Sequence, residues 1–193
     1  VRGITKGLES NNNGAEWTST DYYSSFDSDG FTIAAGGGGA GTANGNTAVQ
    51  WSWKAGTTGS GTTTGSGTGK SYNYSVSTTA GFSIIKYQGN GSGGHTIPHH
   101  LGVTPDFIMI KNLDSTTDWR GYHKNIPTAN SRAIRLNSND YWNTDSSWWN
   151  DTSPTSSVFT VGSSTSMNGN NTNYIAYCFV SKIGFSRFGK FSG

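Results

Sequence analysis

Only 12% of this 193-residue chain is charged, so its solubility must rest on the hydroxyls and amides of its many Ser, Thr and Asn residues. An aromatic share of 13%, including seven Trp, argues against the disorder that 28 glycines would otherwise suggest. A net charge of +2, with Lys and Arg scattered along the sequence, argues against a nucleic-acid partner, and no apolar run approaches the roughly 20 residues that span a bilayer.

The chain opens on Val1 without Met or a signal peptide, and is expected to be a processed or partial product of a longer polypeptide. Gly30-Phe31-Thr32-Ile33 predicts a strand, residues 36–45 a Gly/Ala-rich loop, and 46–54 (ending Trp51-Ser52-Trp53-Lys54) a second strand. The preceding Ser25-Phe26-Asp27-Ser28-Asp29-Gly30 resembles the Asp-box turn of sialidase-like propellers with one residue too many, and its acidic pair reads as hairpin-turn chemistry. Residues 1–55 hold too few strands to close a sandwich, and are expected to be the closing part of a β repeat. They would pack on the following module, borrow strands from another chain or continue a domain begun elsewhere. Residues 56–70, rich in Gly, Ser and Thr, cannot bury a core and read as a flexible linker.

Residues 71–193 read as one complete module. Period-two alternation predicts strands over 96–101, 106–111, 132–136, 157–161 and 174–180, and no window keeps the apolar spacing of a helix. Short strands parted by Gly, Asn and Asp turns predict an all-β fold, an antiparallel β-sandwich or jelly-roll-like module preceded by a partial β module. The segments 30–33 and 46–54 are echoed by 157–162 and 173–180, and each pair leads into Gly-Phe-Ser, at Gly81 and at Gly184.

Motifs for chemistry are sparse. His95, His99 and His100 have no third or fourth ligand in reach of a metal-site pattern, so they read as a strand-and-turn element with one partly buried, hydrogen-bonded His. Asp106, Asp114, Asp118, Asp140, Asp145 and Asp151 sit in turns or at strand ends, with nothing to mark two of them as a glycosidase pair. No nucleophile elbow, phosphate loop or dinucleotide fingerprint occurs, so no enzyme activity, cofactor or metal is expected. Cys178, alone in a strand-like run, reads as a small buried hydrophobe. The Asn-x-Ser/Thr triplets match chance in so Asn-rich a chain. The aromatic stretch is the best binding candidate. Trp119, Tyr141, Trp142, Trp148 and Trp149 lie among Asn and Asp, the pairing that stacks on sugar C–H faces while amides bond the hydroxyls. The other reading places these rings in the core or in a seam between chains.

Three ordered segments carry a resemblance. They are His99-His100-Leu101-Gly102-Val103-Thr104-Pro105-Asp106-Phe107-Ile108-Met109-Ile110-Lys111, Trp149-Asn150-Asp151-Thr152-Ser153-Pro154-Thr155-Ser156-Ser157-Val158-Phe159, and Tyr174-Ile175-Ala176-Tyr177-Cys178-Phe179. With the closing Gly184-Phe185-Ser186-Arg187-Phe188-Gly189, they resemble the repeated domain of unknown function in marine and cyanobacterial phage structural proteins, especially tail-fibre-like ones. The likeness covers 80–193, with Trp51-Ser52-Trp53-Lys54-Ala55-Gly56 matching the ending of a preceding repeat. His100 stands where that pattern has Gly, a residue suited to a positive-φ turn. The resemblance implies a non-enzymatic virion component, extracellular on a tail or surface appendage, that attaches to a host surface glycan. It also implies partners among other virion proteins and other copies of itself, a homotrimer being favoured. A structural spacer, a capsid decoration protein or a secreted bacterial filament or adhesion protein sharing the repeat are the alternatives.

Overall fold

The computed structural model describes residues 2–35, 47, 49–139 and 143–191. They form two compact units: a smaller one of Arg2–Leu8 and Glu16–Trp53, and a larger one of Glu9–Ala15 and Lys54–Gly193.

Among its described residues the smaller unit holds two short hairpins. Strand β1 (Lys6–Gly7) pairs with β2 (Trp17–Thr18), and β3 (Tyr23–Phe26) with β4 (Phe31–Ile33). The turn of the second hairpin is tied by Asp27, whose carboxylate accepts from Ser25 Oγ at 2.8 Å and Thr32 Oγ1 at 2.9 Å. That is a structural use of the acidic turn. The loop expected at 36–45 lies outside the described residues. The strand expected over 46–54 does not form among those that are described, and Trp51 stands 75% exposed.

The larger unit is a sandwich. Its main sheet uses β5 (Thr57–Thr62), β7 (Ser71–Ser77), β8 (Phe82–Gln88), β10 (Phe107–Asn112), β11 (Arg120–His123), β12 (Arg132–Arg135), β13 (Asn143–Thr144) and β15 (Asn173–Phe179). They run in the order β13-β12-β11-β10-β15-β8-β7-β5, every pairing antiparallel. The facing sheet is β14 (Val158–Val161), β9 (His95–Pro98) and β6 (Thr64–Gly65). Alternation fills the gap: Tyr72, Ile85, Tyr87, Ile108, Ile110, Tyr174, Ala176 and Cys178 from the main sheet meet Ile97, Phe159 and Val161 from the other. The expected all-β antiparallel sandwich is therefore the observed fold.

The reverse face of the main sheet is covered too. In register across β10, β15 and β8 lie Phe107, Phe179 and Phe82, then Lys111, Ile175 and Lys86. Lys111 and Ile175 are fully buried, and residues 9–15 bind to this unit through Trp119 Nε1 donating to the Glu9 carbonyl and Thr117 N to that of Asn13.

Two expectations change. The segment read as a linker, 56–70, holds β5 and β6, and β5 pairs with β7 over six residues. Its apolar-poor sequence fits because its inward positions are Gly59 and Gly61, where a Cβ would lie 2.6 Å from Tyr74 Oη and 2.8 Å from Tyr72 Oη. The tyrosine rings of β7 supply the apolar cover that β5 lacks. Two four-residue helices also occur, α1 (Ser146–Trp149) and α2 (Thr165–Asn168), each N-capped by a side-chain oxygen, from Asp145 and Ser164. Each is too short to leave a periodic signal in sequence. At His100 the backbone keeps a positive φ of 61° without glycine. Its ring stacks on Tyr74 at 3.6 Å and bonds Tyr72 Oη at 3.1 Å, which offsets the cost of that conformation.

Candidate functional site

The aromatic stretch singled out in sequence turns inward. Trp149 is fully buried, its indole N–H donating to the Arg132 carbonyl at 2.8 Å and its ring meeting Tyr122 edge-on. Trp148 lies under the Arg120 guanidinium, 4.2 Å from ring centroid to Cζ, and Trp119 packs beside Tyr177. Tyr141 and Trp142 lie outside the described residues. The helix α1 explains the burial of two adjacent Trp. Asp145 caps its start through Ser147 N, Asn150 closes it in the left-handed conformation, and the turn packs against β12, β14 and the 3-10 turn Ala129–Ser131. Enclosed indoles offer no face to a sugar ring, so in this fold Trp119, Trp148 and Trp149 are core residues.

The histidines are likewise interior, with two of them fully buried rather than the one partly buried residue expected. Asn168 Nδ2 donates to the Ser92 and Gly162 carbonyls, which leaves its Oδ1 to accept from Asn90 N and from His95 Nδ1 at 2.8 Å. His95 Nε2 then accepts from the Thr63 hydroxyl at 2.6 Å, while that oxygen accepts from Lys70 N. Every atom of this knot has a partner when His95 is neutral, and it binds three Gly-rich loops together. His99 donates from Nε2 to the Thr155 carbonyl and accepts at Nδ1 from Leu101 N. Burial, opposed by the Thr155 bond and aided by the neighbouring His100, pushes its pKa down to about 4, and burial lowers that of His95 as well. Burial also pushes the Cys178 thiol well up, so it carries no thiolate chemistry. Among the described residues no three His, Cys, Asp or Glu side chains come together as metal ligands.

What opens to solvent is the turn after β15. Lys182 N donates to the Ser186 carbonyl and Ser186 N to that of Lys182, closing a hairpin around Ile183, Gly184 and Phe185. Gly184 sits at φ +77°, a conformation that favours glycine. Asp106 anchors the base. Its carboxylate accepts from Ser181 N at 2.7 Å and pairs with Lys124 Nζ at 2.7 Å. Burial alone would raise its pKa, but the bonds from Lys124 and Ser181 and the Lys124 charge outweigh it and hold the carboxyl below its ordinary value. Beyond the turn, Phe188 packs on Phe107 and Phe179.

This scaffold leaves a cleft of about 850 Å3, lined by Lys124, Asn125 and residues 181–190, with a second groove of about 570 Å3 on another side of the turn, lined by residues including Ser77, Thr79 and Ile183. Phe185 is 68% exposed and Ile183 fully so. Four of the 13 Lys and Arg scattered in sequence meet here, since Lys124, Lys182, Arg187 and Lys190 all line the cleft. Sequence carries one signal for this: no acidic residue follows Asp151. The arrangement brings cationic side chains, an amide side chain and an exposed aromatic ring to one cleft, groups suited to binding.

Among curated proteins and among solved structures, none matches the chain. The model of one family, a domain of unknown function (DUF7483), matches residues 1–193 and so spans both units; the chain belongs to that family.

Proposed function

We propose that this chain is a module of a phage virion appendage, a tail fibre or its equivalent, that attaches to the host surface without enzymatic activity. The sequence motifs at 99–111, 149–159 and 174–179 support the phage setting, because they resemble repeated domains of tail-fibre-like proteins. One observation carries the attachment: an open cleft of about 850 Å3 with Phe185 exposed and four cations at its rim, on a turn pinned to the main sheet through Asp106. That volume lies within the range of small-ligand sites. Presented in several copies, favoured as a trimer, weak contacts at such a cleft would multiply into useful avidity.

The test is binding of the fluorescently labelled chain to a panel of bacterial cells, marine cyanobacteria included, with the oligomeric state measured by sedimentation. Attachment predicts saturable binding to some cells, abolished in Phe185→Ala/Arg187→Gln. Assembly with no cell bound would instead favour the spacer or capsid-decoration role.

A further inference from the structure

We infer that the cleft beside residues 182–190 takes an anionic polysaccharide, one bearing carboxylate, sulfate or phosphate groups. This rests on the attachment reading and names its ligand class. The charge comes first. Lys182, Arg187 and Lys190 fall within nine residues, Lys124 joins them in space, and among the described residues no carboxylate lines the cleft. Among the described residues only Lys124 of the four has an acidic partner, Asp106, which is itself held by Ser181 N. The rest of the chain is close to neutral, so the positive potential is local to this turn.

The ring comes second. Phe185, mostly exposed, lines the cleft with these cations, and an aromatic ring suits the C–H face of a sugar, while Asn125, also in the lining, carries an amide suited to hydroxyls. A duplex nucleic acid would call for a basic stripe that follows many phosphates, whereas these four cations surround one turn. A membrane surface would call for a broad apolar face with basic residues around it; here Ile183 and Phe185 are exposed on one short turn and the cations line the cleft beside it.

Titrations of the whole chain with dextran, dextran sulfate, polygalacturonate, a single-stranded oligonucleotide, and phosphatidylcholine vesicles with and without phosphatidylglycerol test this. Binding is expected for dextran sulfate and polygalacturonate and not for neutral dextran. Arg187→Gln should weaken it about tenfold and flatten its salt dependence. Phe185→Ala should weaken it about fivefold with the salt dependence unchanged, and Lys86→Gln, on the sheet, should leave it unaltered. Equal binding of dextran and dextran sulfate overturns the inference, as does tighter binding of the oligonucleotide or the anionic vesicles, or an equal effect of Lys86→Gln. Cells bound through a neutral glycan would sink the ligand class and keep attachment. Polyanions bound by the cleft with no cell bound would sink attachment and keep the ligand class.

Discussion

Two regions of the larger unit bring arginine and aromatic residues to one place, one of them enclosed and the other open. Around α1, Arg120 lies on Trp148 and both are more than nine-tenths buried. At residues 182–190, Arg187 and Lys190 stand beside a Phe185 that is mostly in solvent. The backbone makes the difference. Successive side chains of a helical turn point about 100° apart, so burying both Trp148 and Trp149 takes neighbours on two sides, which β12 and β14 supply. The hairpin 182–186 closes on itself with two backbone bonds and leaves Ile183 and Phe185 to solvent. Side-chain type sets what a region could bind; enclosure decides whether it does.

Substitution of the rings tests that contrast most sharply. Trp149→Ala should cost about 4 kcal/mol in urea unfolding, through a large cavity and the lost bond to Arg132. Phe185→Ala should leave the midpoint unmoved while binding falls, and an equal loss of stability at both sites would erase the distinction. Next in size is Asn168→Ala. It strands the Ser92 and Gly162 carbonyls, Asn90 N and His95 Nδ1, and should cost roughly 3 kcal/mol, measured the same way.

The pH dependence follows from His99. Its folded pKa of about 4 lies below the ordinary value near 6.5, so between these values the unfolded chain binds more protons. Stability should therefore be full above pH 6.5 and fall as the pH drops toward 4, by roughly 2–3 kcal/mol from His99, with His95 adding in the same direction. Urea melts between pH 7.5 and 4 would show it, and His99→Gln should remove much of the slope. A flat profile would mean that His99 is solvated, and the interior as drawn would be wrong. Smallest is Gly184→Ala, about 1 kcal/mol from the left-handed backbone. Its readout is binding, which should fall as Phe185 shifts; unchanged binding would show that the turn's conformation does not position the ring.

Much of the sandwich was legible in sequence. The alternation of residues 106–111 and 174–180 is the alternation of β10 and β15, the two strands at the centre of the main sheet. Where one face of a strand is apolar, period two survives translation into structure. Strand β5 was illegible because its stabilising atoms belong to Tyr72 and Tyr74, which lie over glycines that carry no signal themselves. The cleft was illegible for a related reason. Lys124 and Arg187 are neighbours only because Asp106 holds Lys124 and Ser181 together. An aromatic-rich stretch drew attention to 119–149, and nothing local could reveal that α1 would turn its two Trp inward.

The edge strand β5 carries one more consequence. It ends the hydrogen-bonded order of the main sheet, and its exposed positions are Thr57, Thr58, Ser60 and Thr62, with no apolar side chain among them. A sheet border clad in hydroxyls and broken by glycine offers a neighbouring copy no apolar surface. Any pairing of two copies along that border would draw on backbone hydrogen bonds alone, since its side chains bring no apolar area to bury.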